Sequence, residues 1–112
     1  MSFFDSDIVK AEMADIHQLQ EEIYSSVMNF PYMSAADKTE HINLLSELVE
    51  KQKVMYARLS LSDDPDAEIM KQEMTKSAER MGVPRGVDMS VIFNQMSEMI
   101  ELMRKQFDIG TF

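Results

Sequence analysis

An all-α fold of about four helices follows from three features of this sequence. Apolar residues recur at spacings of three and four over most of the 112 positions, the period of a helix face. The stretch from Ser34 to Leu61 has no internal glycine or proline. Breaks around Pro31, Pro65 and the Gly82–Gly86 segment divide the rest into helix-length pieces. The expected arrangement is a long antiparallel hairpin of helices over about 6–28 and 34–61, with two shorter helices over about 65–81 and 89–107. No strand pattern, internal repeat or low-complexity tract is visible. The chain reads as a single domain, 1–112, with a short arm at 1–5 and a tail at 108–112.

The arm carries Phe3 and Phe4 side by side. Asp5 or Ser6 can cap the first helix, and Asp7 suits its positive first turn. Val9, Met13, Ile16, Leu19, Ile23 and Val27 then form its stripe. Of two adjacent aromatics one can staple the helix start, which leaves the other for the core or for docking onto a partner. Pro31 lacks an amide hydrogen and disfavours a helical Phe30, so Asn29–Met33 is a break.

Ser34 with Asp37 three residues on reads as a variant capping box that opens the longest helix. Ile42, Leu45, Leu48, Val49, Met55 and Leu59 share one side of it. Glu47 before Lys51 and Glu50 before Lys53 suit a solvated opposite face. Asp64 followed by Pro65 is a helix start, and Gly82 with Pro84 two residues later is a helix stop. Between them Ala67, Met70, Met74, Ala78 and Met81 give a weak stripe, so this third helix should be the most loosely held. Asp88 or Ser90 can cap the last helix, where Ile92, Met96, Met99, Met103 and Phe107 line one side, widened by Phe93 and Ile100. The tail should fray unless Ile109 and Phe112 dock.

Composition excludes several function classes. A net charge of −9 argues against direct nucleic-acid binding and against anionic membrane surfaces, which need clustered Lys and Arg. The acid is uneven: residues 1–30 hold six acids and one base, whereas residues 31–61 hold four of each. An acidic first helix could solubilise, meet a basic protein or imitate nucleic acid. No apolar run is long enough to span a membrane and no signal peptide is visible, so a cytoplasmic location is expected. Zero cysteines remove disulfides, thiolate metal sites and cysteine nucleophiles together. The 12 methionines supply adaptable side chains for a core or a docking surface.

No catalytic, cofactor or metal site is expected. A di-iron bundle needs Glu-x-x-His pairs, but Ala14 and Lys38 stand three residues before His17 and His41. Both histidines therefore read as surface or edge residues. Glu98/Glu101 and Glu47/Glu50 are carboxylate pairs with a basic residue within a turn, which marks solvated faces rather than acid–base sites. Neither a nucleophile elbow nor a phosphate-cradling glycine loop is present. Tyr56 and Arg58 suit an interface anchor; otherwise Tyr56 packs at the core edge and Arg58 pairs with an acid.

Three segments carry a family resemblance. They are Phe3-Phe4-Asp5-Ser6-Asp7-Ile8-Val9 with Glu12 one turn on, the run Met55–Asp64, and Gly82 ahead of Phe93, Met96 and Met103. Together they resemble a small, uncharacterised protein family, a domain of unknown function, of cyanobacteria and their phages. Phe30-Pro31-Tyr32 departs from the polar, glycine-containing turn of that family, and so does the tail after Phe107. The resemblance implies a helical cytoplasmic protein, host-type or phage-borne, and transfers no active-site residues.

The function expected is a non-enzymatic protein–protein interaction module. It would regulate, adapt or inhibit a larger host complex, such as a transcription or photosynthesis-related machine. Its contact residues would be Phe3, Phe4, Asp5, Asp7, Tyr56 and Arg58. A self-assembling structural subunit, including a homodimer, and an acidic nucleic-acid mimic are the alternatives.

Overall fold

The computed structural model describes residues 3–80 and 82–110, with side chains as far as Gln106. Met81 and Phe112, and the side chains of Phe107 and Ile109, lie outside the described residues, so the roles expected of them are not addressed. Among the described residues there are four α-helices and no strand: α1 (Asp7–Ser26), α2 (Ala35–Leu61), α3 (Pro65–Arg80) and α4 (Met89–Gly110). A 3-10 turn over Phe3–Asp5 precedes α1, and a second over Val27–Tyr32 leads toward α2.

Local chemistry places the boundaries. Ser6 accepts from the Val9 N–H at 3.5 Å, and Ser34 accepts from the Asp37 N–H at 3.1 Å. Asp64 and Asp88 do the same for α3 and α4, accepting from the N–H groups of Asp66 and Ser90. At the end of α3, Gly82 takes φ +105°. Its N–H donates to the Glu79 carbonyl and that of Val83 to the Ala78 carbonyl, the double closure of a Schellman stop. Pro31 does not end helical geometry outright. The chain tightens from α to 3-10 after Ser26, and Pro31 sits inside that tighter turn.

The 27-residue α2 is the element on which α1, α3 and α4 all pack. Contacts pair Ser26 with His41, Asp15 with Lys51 and Glu12 with Arg58, so α1 and α2 run in opposite directions. Tyr56 meets Phe93 near one end of α2, while Ile42 shares a cluster with Ile100 near the other, so α4 also runs against α2.

Two apolar clusters result. One joins Ile42 and Val49 of α2 to Met89, Ile92, Phe93 and Ile100 of α4. The other joins Val9, Met55, Leu59 and Ala67, covered by Phe3, Phe4, Met13 and Ile16. Met74 of α3 packs against both. Ala67 is the buried residue of α3, consistent with its small-residue stripe.

Two expectations need correction. His41 is 5% exposed, not a surface residue: Ser26 Oγ lies 3.1 Å from its Nδ1 and the Phe30 ring covers it at 5.2 Å. The side of α4 turned to the core is Met89, Ile92, Phe93 and Ile100, whereas Met99 is 64% exposed. The apolar arc of α4 is wider than the face α2 can cover.

The molecule is elongated, 53 × 31 × 20 Å, with a radius of gyration of 15.9 Å. A compact chain of this length would be near ~13 Å. Its accessible surface of 7787 Å² likewise exceeds the roughly 6,300 Å² expected of a folded monomer of its mass.

Candidate functional site

The residues singled out in sequence do not form one surface. Phe3 and Phe4 stack edge to face at 5.1 Å, half-buried against the Val9–Leu59 cluster. The Phe3 N–H donates to Asp64 Oδ2 at 2.6 Å. The aromatic arm is thus folded onto the body, where it joins α1 to the start of α3. Asp5 and Asp7 are exposed beside it, Asp7 in the first turn of α1.

Tyr56 packs on the edge of Phe93 at 5.9 Å, with the Lys71 ammonium 5.7 Å from its ring centre. Arg58 faces the other way and pairs with Glu12 of α1 at 3.1 Å. Lys51, expected to serve Glu47, reaches instead to Asp15 at 3.4 Å. Those cross-helix pairs place a cation beside two of the carboxylates of α1, Glu12 and Asp15.

Concave features carry little chemistry. A groove of about 280 Å³ between α1 and α2 is lined by Asp15, Glu22, Glu47 and Lys51 with polar and aliphatic neighbours. A second, of about 290 Å³, lies between α1 and α3 over α2 and is lined by Met13, Met55, Met70 and Met74. His17 at its rim pairs with Glu21 at 3.0 Å. Among the described residues no group of three or more His, Cys, Asp or Glu could hold a metal ion. Among them also, no helix is long and apolar enough to cross a membrane.

What stands out is the end of the molecule formed by the α1–α2 connection. Tyr24 is 71% exposed, Met28 83% and Tyr32 88%, with Val27 also exposed. Phe30 turns inward against His41 and the α2–α4 cluster, which anchors the 3-10 turn and displays its neighbours. Tyr gives large contact area at small entropic cost, Met adapts its shape to a partner, and both residue types are enriched in interface cores.

Val27, expected in the α1 stripe, is exposed rather than buried, and Tyr24, Met28 and Tyr32 recur every four residues off that stripe, so reading the stripe passes over them. Their signal is a gap in charge. From Ile23 to Ala36, 14 residues, nothing is ionised, in a chain of which 28% is charged. Acids border the gap: Glu21 and Glu22 before it, Asp37 and Glu40 after it. The Lys38 ammonium lies 5.7 Å from the Phe30 ring centre.

Comparison with known families places the chain. Residues 1–107 match the family described as a domain of unknown function, DUF1825, and the chain belongs to that family. No curated protein and no solved structure matches it.

Proposed function

We propose that this protein is a non-enzymatic interaction module of the cytoplasm that docks onto a larger protein through its α1–α2 connection. The observation that carries this reading is that Tyr24, Met28 and Tyr32 are exposed by 71–88% within one uncharged segment. Isolated exposed apolar residues are ordinary, but three large ones spaced four apart over the end of α1 and the 3-10 turn, with no charge between them, are a surface that water solvates poorly. The acids on either side call for a partner with an apolar pocket rimmed by Lys or Arg. A chain of net charge −9 would be steered toward such a surface. The regulator, adaptor or inhibitor role expected from sequence fits a small protein that binds this way and brings no chemistry of its own.

The test is site-specific photo-crosslinking in a host extract, with the reactive side chain placed at position 32 or, as control, at Lys76 on the exposed side of α3. A discrete heavier species from position 32 alone, lost when Tyr24 and Met28 are both changed to Ser, is expected. Equal capture from both positions would overturn the reading.

A further inference from the structure

We infer that the outer face of α4 is a self-association surface, on which a second copy of this chain lays its own α4 antiparallel about a two-fold axis. This is independent of what docks at the α1–α2 connection. Val91, Gln95, Met99, Leu102 and Gln106 are all exposed, and at 3.6 residues per turn they fall within an arc of about 80°. Met99 and Leu102 are the most open, at 64% and 66%. The arc holds no charged residue. It lies beside the side that meets α2, the helix on which α4 mainly packs.

Charge selects the occupant. On one flank of the arc stand Glu98 and Lys105, seven residues apart and therefore at the same helical position. Neither forms a salt bridge among the described residues, whereas the neighbouring Glu101 and Arg104 pair with each other at 3.7 Å. A parallel pairing about a two-fold axis would put the two copies of Glu98 and Lys105 on opposite sides of the seam, so that neither meets an opposite charge. An antiparallel pairing centred near Ile100 and Glu101 sets Met99 against the second copy's Leu102 and Gln95 against its Gln106. Glu98 then meets the second copy's Lys105, twice by symmetry. The face is self-complementary in one direction only.

The chain as a whole exposes about 1,500 Å² more than the mass scaling predicts, above the about 800 Å² per partner of a standard interface. Elsewhere the negative charge of the chain opposes self-contact, but a contact confined to this arc brings no two carboxylates together.

Sedimentation velocity over a micromolar concentration range tests the proposal on the full chain, with circular dichroism confirming that each variant is folded. The wild type should be a dimer, and Met99→Glu with Leu102→Glu should be a folded monomer. Glu98→Lys alone and Lys105→Glu alone should each weaken the dimer at least several-fold, because each sets like charges opposite. The double exchange Glu98→Lys with Lys105→Glu should restore it. A wild-type monomer at 100 μM, about the upper limit for a specific contact of this size, overturns the proposal. So does a dimer indifferent to the Met99/Leu102 change, or a double exchange no better than the single ones.

Discussion

The Phe3 N–H and the Asp64 carboxylate are joined at 2.6 Å across 61 positions of sequence, and the other oxygen of that carboxylate accepts from the Asp66 N–H at 2.9 Å. One side chain both caps α3 and fastens the N-terminal arm. Asp64→Ala removes both functions and should lower stability by about 2–3 kcal/mol, a cap plus a charge-assisted bond. Asp64→Asn keeps a good capping side chain and should lose about half as much. Urea unfolding of the three proteins checks this; equal losses for Ala and Asn would assign everything to the carboxylate charge.

Truncation of residues 1–5 should lower stability by about 2–4 kcal/mol, since two half-buried phenylalanines leave the Val9–Leu59 cluster together. Thermal unfolding followed by circular dichroism measures it. An unchanged midpoint would mean that the arm rests on the body without supporting it, and would return Phe3 and Phe4 to the role of partner-binding residues. A binding defect in the truncated protein is interpretable only beside this melt.

The starts of the helices and the stop of α3 are legible because capping is local, whereas α1 ends at Ser26 rather than 28 and α4 runs to Gly110, past the end at 107 and into the expected tail. Ser34 with Asp37, Asp64 with Asp66, and the glycine at 82 each act within three residues of sequence. The stripe of α2 was equally plain, and Ile42 and Leu59 are fully buried in it. The arm was harder, because its binding partner Asp64 lies in another helix cap and no spacing rule connects them. Periodicity alone sets the stripe of α4 on one side, because it reports apolar width, not which part of that width a neighbour covers. The exposed residues Tyr24, Met28 and Tyr32 lie off the α1 stripe, and the missing charges around them are the clearer mark.

His41 shows why a polar residue in a stripe resists sequence reading. Its burial depends on Ser26, 15 residues earlier, arriving beside Nδ1 when α1 and α2 close. Ser26→Ala leaves a buried ring nitrogen without that contact and should lower stability by about 1–2 kcal/mol. His41→Leu removes the polar group itself, so adding Ser26→Ala to it should do little further harm. The double-mutant cycle from chemical denaturation should give a coupling of about 1 kcal/mol. Strict additivity would show that serine and histidine do not act on each other in the folded state.

The two apolar clusters sit toward opposite ends of α2, so whether they unfold together depends on what links them. Ile42 belongs to one and Leu59 to the other, each fully buried, and truncation to Ala should cost about 2–5 kcal/mol in either place. Met74 touches both clusters, and α2 runs uninterrupted between them. Those links make the protein one cooperative unit. Amide hydrogen exchange should therefore show that Ile42→Ala lowers protection around Leu59 as much as around Val49, and that Leu59→Ala does the converse. Loss confined to the mutated end would mean that the continuous backbone of α2 couples the clusters less than each is stabilised alone. The α3 helix would then be a separately opening flap, held by Ala67, Met70, Met74 and Ala78.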